Sequence, residues 1–199
     1  MSKRRAQNRG LSLFELLVVV AILATLIALS TAGYYSAIQA LAVTTGADMI
    51  SETLTEARTS AVAQNTTVEV RFYSAPPPSG GSPVYGALQL HWSKPDGTTP
   101  PVAEPVLLPA CAVIDATSAH SPLIDANTLP VTPDATDLRM NGDTRVFHFL
   151  PDGSTDLAPT TNWFLTVRPA AQSDPAHFPS NWASVGVNAS TGRTEIYRP

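Results

Sequence analysis

Glu15 stands near the head of an otherwise apolar run, in the segment LSLFELLVVVAILATLIALS that begins at Leu11. A charged side chain inside a bilayer costs roughly 2.5 to 3.5 kcal/mol, so a carboxylate here asks what compensates it. The other residues able to do chemistry are dispersed. His91, His120, His148 and His177 form no short-spaced metal pair, and His91 and His148 fall in strand-like segments, where they read as hydrogen-bonded or surface histidines. There is no Gly-x-Ser-x-Gly, no phosphate-cradling glycine loop, and no carboxylate pair that stands apart from turn acids. No catalytic residue is expected, and the chain reads as a non-enzyme. Asp134, Asp137, Asn141 and Asp143 carry oxygens that suit calcium, but their spacing is not an EF-hand and Asp and Asn also make turns. Neither a metal nor another cofactor is therefore expected. Cys111 is the single cysteine, which excludes an intrachain disulfide and a cysteine zinc site, and it reads as a small buried apolar residue.

The element that must position Glu15 is a helix. Residues 11–29 are apolar apart from Ser12, Glu15 and Thr25, and as a helix they would span roughly 28 Å, close to a bilayer core of about 30 Å. Lys3, Arg4, Arg5 and Arg9 precede the run with no acid among them, which places the N-terminus in the cytoplasm and the remainder across the membrane. The run is longer than the roughly 7 to 15 apolar residues of a secretory signal, and a plain anchor leaves Glu15 unexplained. Ile38, Leu41, Ala42, Met49, Ile50, Leu54, Ala57 and Ala61 then recur at three- and four-residue steps. The pattern predicts one helix, apolar all round in its first half and amphipathic in its second, ended near Asn65, a residue that tolerates a left-handed cap.

From Thr66 the period switches to two. TTVEVRFY, VYGALQLHW, RVFHFL, NWFLTV and ASVGVN read as strands separated by Pro-, Gly- and Asn-rich turns. The fold class is therefore α+β, with the long helix packed on an antiparallel sheet or small sandwich. Residues 109–143 read as a loop-rich insertion with room for two short strands. Only 14% of the 199 residues are charged and eighteen are proline, a composition that favours an envelope or extracellular setting over a cytosolic enzyme. The formal charge is −4. It becomes −8 once the four basic residues of 1–10 are removed, which disfavours nucleic acid as a general partner.

Basic leader, Gly10, then Leu11-Ser12-Leu13-Phe14-Glu15 and a long apolar helix resemble the class III signal of type IV pilins and type II secretion pseudopilins. The resemblance implies that a prepilin peptidase cuts after Gly10 and methylates Leu11, and that Glu15 is the acid needed for assembly. Leu11 departs from the usual Phe or Met, and Phe14 from the usual aliphatic residue, both staying apolar. The new amine and a carboxylate on a neighbouring subunit would attract by roughly 4 kcal/mol at about 4 Å, comparable to the cost of placing the acid. Such a pair also sets axial register between subunits. Toward the C-terminus, Phe149 to Gly153 and Gly192-Arg193 are similar to turns of the GspH/FimT group of minor pseudopilins and pilins. The WFLTV segment also resembles the Verru_Chthon cassette protein D family.

The organisation implied is a cleaved leader at 1–10, a transmembrane segment at 11–33, an amphipathic continuation at 34–65 and a β-rich head at 66–199. The resemblance implies a single-pass protein of the bacterial inner membrane with its head in the periplasm, and a filament subunit after assembly. Its partners would be the peptidase, other pilin subunits, the inner-membrane assembly platform and lipid. The alternative is a DNA-binding minor pilin of a competence pilus, using Arg193 and Arg198. Two arginines beside Glu195 make a poor electrostatic footprint for DNA.

Overall fold

A computed structural model describes residues 13–75, 84–117, 119–125, 130–131, 144–171 and 178–199. The chain divides into two units, Met1–Ile38 and Gln39–Pro199. Helix α1 (Leu13–Gln64) contributes to both. Its 52 residues contain no proline. Thr25 and Ser36 do not disrupt it, because their hydroxyls donate back to the carbonyls of Ile22 and Gly33 at 2.8 and 2.9 Å.

In the first unit, the described side chains from Leu13 to Ala37 are all exposed. Leu13 is 85% and Phe14 73% exposed, and Val19, Ile22, Leu23 and Ile27 each keep more than half of their surface exposed. A helix apolar on every side is what a membrane span looks like, and this one is long and apolar enough to cross a bilayer.

In the second unit α1 buries one stripe. Ala42, Val43, Ala47, Ile50, Leu54, Ala57 and Ala61 are enclosed by the sheet, at the three- and four-residue steps that keep side chains on one face. The stripe departs from the expected one at Leu41, which is 66% exposed, and at Met49, which is half-buried. Val43 and Ala47 carry the contact instead. The small residues allow close approach. A Cβ on Gly46 would lie 3.4 Å from Val167 Cγ1 and 3.6 Å from Ala112 Cβ. The helix ends in a Schellman cap, with Asn65 at φ 48, Asn65 N donating to Val62 O at 3.3 Å and Thr66 N to Ala61 O at 3.1 Å.

The strands are β1 (Thr67–Ala75), β2 (Val84–Ser93), β3 (Val106–Leu107), β4 (Ala112–Ile114), β5 (Pro130–Val131), β6 (Thr144–Phe149), β7 (Trp163–Pro169), β8 (Ala183–Val187) and β9 (Thr194–Tyr197). Among the described residues they form one antiparallel sheet rather than a sandwich, in the order β5-β6-β1-β2-β4-β7-β8-β9, with β3 paired to β2 off that path. Within residues 109–143, β4 bonds β2 through Tyr85 and Ile114 and runs beside β7. It thereby joins the two halves of the sheet.

Alternation fixes the two faces. Val68, Val70 and Phe72 of β1, Leu88 and Leu90 of β2, Phe147 and Phe149 of β6, and Leu165, Val167, Val185 and Val187 of β7 and β8 all belong to the core against α1. Cys111 corrects the expectation of burial. It is exposed in the turn before β4, where its neighbours Pro109 and Ala112 close the turn through Ala112 N and Pro109 O at 2.8 Å. Strand β9 is tied to the helix. Thr194 Oγ1 lies 3.2 Å from both Ser51 Oγ and Thr55 Oγ1, and Arg198 donates to Asp48 Oδ1 at 2.8 Å.

Candidate functional site

Gly10 and Leu11 lie outside the described residues, as do Asp134, Asp137, Asn141 and Asp143. Glu15 is described. It sits near the start of the described helix, and its side chain is exposed. Around it every described side chain is exposed too, so among the described residues this carboxylate stands on an apolar surface.

The two turns singled out near the C-terminus converge on one helical residue. Gly153 and Gly192 have φ +83 and +63, conformations that carry little cost only for glycine. A Cβ on Gly192 would fall 2.2 Å from the carbonyl oxygen of Gly153 and 3.0 Å from Phe149 Cε1, so the turns touch backbone to backbone. Between them and α1 lies Arg58, whose Nε donates to Thr191 O at 2.8 Å and to Gly153 O at 3.3 Å. Arg58 lies some 130 residues from the second turn in sequence and could not be linked to it by any local pattern. Arg193 is exposed and among the described residues its guanidinium has no hydrogen-bond or ion-pair partner. Arg198 is engaged by Asp48. The two arginines weighed for DNA therefore do not act as a pair of free cations.

The outer face of the sheet differs between its halves. On β6, β1 and β2 it is covered and polar. Glu69 contacts Arg71 and Arg71 Nη2 donates to Thr99 Oγ1 at 2.8 Å. His148 Nδ1 lies 2.6 Å from Asp156 Oδ2 and its Nε2 lies 3.4 Å from Glu69 Oε2. His91 bonds Thr99 O through Nδ1 at 2.8 Å and faces Tyr73 and Gln89 through Nε2. The hydrogen bond to Asp156, then that to Glu69, raises the pKa of His148 to about 9, burial opposing them. Burial would raise Glu69, but its bonds to His148 and Arg71 outweigh that and hold it below the usual carboxylate range. Asp156 is lowered in the same way, against burial, by His148. At neutral pH the cluster is a chain of alternating charges, and it holds the loop after β2 against the sheet. No three His, Cys, Asp or Glu residues among those described are grouped to hold a metal.

On β7, β8 and β9 the described residues leave the outer face open beside Phe164, Gly186 and Tyr197, while Thr166 and Ser184 are buried. Phe164, Trp182, Ser184, Gly186, Arg193, Glu195 and Tyr197 line a half-open cleft of about 570 Å³. Nothing in the sequence signals it, because its walls come from three segments, within 159–164, 182–190 and 193–197.

Residues 5–31 match the family described as the prokaryotic N-terminal methylation motif. No curated protein matches the chain at a significant level. Among solved structures the chain is similar to the minor pseudopilin EpsH from the Type 2 Secretion System of Vibrio cholerae, with 10% identity and a TM-score of 0.43, over 79% of this chain and 97% of that one. The chain thus joins a prepilin-type methylation motif to an α+β fold of one long helix on an antiparallel sheet.

Proposed function

We propose that this chain is a minor pilin- or pseudopilin-type structural subunit, cut between Gly10 and Leu11 by a prepilin peptidase, methylated on Leu11, and assembled through the first half of α1 into a secretion pseudopilus or pilus-like filament. The observation that carries this reading is the first half of α1: most of it lies within the residues that match the methylation motif, it exposes apolar side chains all round, and it carries one carboxylate, Glu15, near its start. Each buried Leu, Val or Ile side chain is worth roughly 1.5 to 3 kcal/mol, so this surface cannot rest in water. Before assembly the bilayer covers it, with the leader cytoplasmic and unit two across the membrane. After assembly neighbouring copies of such helices cover it.

Apolar packing between helices is non-directional and does not fix their stagger. Glu15 supplies the register, by pairing with the amine that cleavage creates on a neighbouring subunit. DNA is not proposed as a partner, since Arg198 is engaged by Asp48 and Glu195 stands two residues from Arg193.

The test is co-expression with a prepilin peptidase and a filament system. Intact mass should fall by residues 1–10 and rise by one methyl group, and Gly10→Ala should abolish the cut. Glu15→Ala should be cut and membrane-inserted normally yet be depleted at least ~10-fold from sheared filaments, the loss of a pair worth a few kcal/mol. An intact Met1 in cells with active peptidase, or Glu15→Ala at full level in filaments, overturns the reading.

A further inference from the structure

We propose that the open cleft on the outer face of β7, β8 and β9 binds an uncharged oligosaccharide. The inference stands on the cleft alone and is independent of filament assembly.

Besides the buried Trp163, three rings line the cleft: Phe164 on β7, Trp182 before β8 and Tyr197 on β9. Two of them are held in place. Trp182 stands edge-on to Phe178 at 6.4 Å between centroids, and Phe178 in turn lies 4.0 Å from the ring of His120. Tyr197 donates its hydroxyl to Glu195, and its ring edge lies over Gly186, 3.4 Å from where a Cβ would be. Glycine at this place keeps the floor low between Phe164 and Tyr197. Rings fixed around a low floor suit a ligand with flat C–H faces, because an aromatic ring presents its negative face to polarised C–H groups.

The polar groups are the hydroxyls of Thr161, Ser184 and Ser190, two amides, and one residue of each charge. Asn162 is exposed at one rim. Asn188 accepts from Ser190 N and Thr191 N through Oδ1 at 3.1 and 3.0 Å, which leaves its amide nitrogen as a donor. Arg193 and Glu195 both line the cleft, one cation against one anion, so the site selects no net charge. That argues against nucleic acid and against an acidic polymer, which need several cations together. It suits vicinal hydroxyls, each of which both donates and accepts.

A peptide strand is the other ligand that rings and amides would fit, and the backbone decides against it. Strand β8 is bonded on both sides, to β7 from Ala183 to Val187 and to β9 from Ser184 to Val187. The floor of the cleft therefore offers no free N–H or C=O row for strand addition, and recognition must come from side chains.

The experiment uses the full chain in phosphatidylcholine nanodiscs, free of sugar-based detergent, titrated with chitohexaose, cellohexaose and maltohexaose, with polygalacturonate as the charged control. Tryptophan fluorescence and saturation-transfer NMR read the binding. At least one neutral hexasaccharide should bind saturably, and its affinity should not change between about 50 and 500 mM salt. Trp182→Ala should weaken it at least ~10-fold, and Asn162→Ala, at an exposed rim position, should weaken it several-fold with an unchanged unfolding midpoint. Three results overturn the proposal: no saturable binding of any of the three up to about 10 mM, binding that survives both substitutions, or binding confined to polygalacturonate and lost with salt.

Discussion

Leu23 and Leu54 are both leucines on α1, yet Leu23 is about half exposed in unit one and Leu54 has no exposed surface in unit two. Around Leu23 lie Val19, Val20, Ile22, Leu26 and Ile27, every one of them exposed. Around Leu54 the apolar residues form a stripe while Glu52, Thr55 and Glu56 face outward. The contrast teaches that hydrophobicity and burial are separate properties. Among the described residues nothing packs on the more apolar half of the helix, a surface that suits lipid or other subunits, as the proposed function requires. The less apolar half, rich in alanine, is satisfied internally because its side chains are small enough for the sheet to approach.

The largest effect should come from breaking the internal half. Leu54→Ala removes a fully buried side chain at the helix–sheet contact and should destabilise unit two by about 4 kcal/mol, whereas Leu23→Ala should leave its urea midpoint unchanged. Denaturation of both variants in nanodiscs, followed by near-ultraviolet circular dichroism, checks the pair. Equal effects would erase the distinction between the halves.

Gly192→Ala should come next, at about 3 kcal/mol. Its Cβ collides with the Gly153 carbonyl and the φ of +63 is unfavourable for alanine, so the turn must pull away from Arg58 and the helix stripe loses its C-terminal support. The same denaturation measurement applies, with Gly33→Ala as the control in unit one, where no atom lies within 4 Å of the added Cβ.

The smallest effect sharpens the comparison through pH. His148 has its pKa raised to about 9 by Asp156 and Glu69, so the folded state holds the proton more tightly than the unfolded one. The resulting stabilisation is whole below pH 6.5, declines as pH rises from there to about 9, and is absent above. It amounts to roughly 2 kcal/mol once partial solvent exposure is allowed for. The depressed carboxyls of Glu69 and Asp156 act on the other side, their contribution being present above the usual carboxylate range and lost as pH falls through it. Urea midpoints of unit two should fall between pH 6.5 and 9, His148→Gln should flatten that slope, and the helicity of unit one should follow neither.

The helix and the longer strands were legible because their apolar periods, 3.6 and 2, extend over enough residues to be distinguished. TTVEVRFY became β1 with Glu69 and Arg71 on the face opposite Val68 and Val70, as alternation requires. Strands β3, β4 and β5 have two or three residues each, too few to show a period, and they exist because neighbours supply the pairing. Leu41 was misread because a helical stripe has soft edges, and one position of drift turns a residue by 100°. Of the candidate site, Glu15 was legible since one charge in an apolar run is conspicuous. Arg58, the His148 cluster and the cleft were not, because each is made by residues that only tertiary contact brings together. Cys111 followed its turn and not its chemistry.

The tie between β9 and the helix bears on the order in which the molecule can form. Ser51 and Thr55 meet Thr194 across 143 and 139 positions, and Asp48 meets Arg198 across 150. The first element of unit two is thus closed by its last strand. Loops of that length are slow to close, because chain entropy must be given up before any contact rewards it. While residues 194–198 are still being made, the helix stripe lacks its final cover and Asp48 has no Arg198 guanidinium to hold. Completion of unit two therefore waits on β9, and the helix stripe is among the first surfaces made and among the last to be closed.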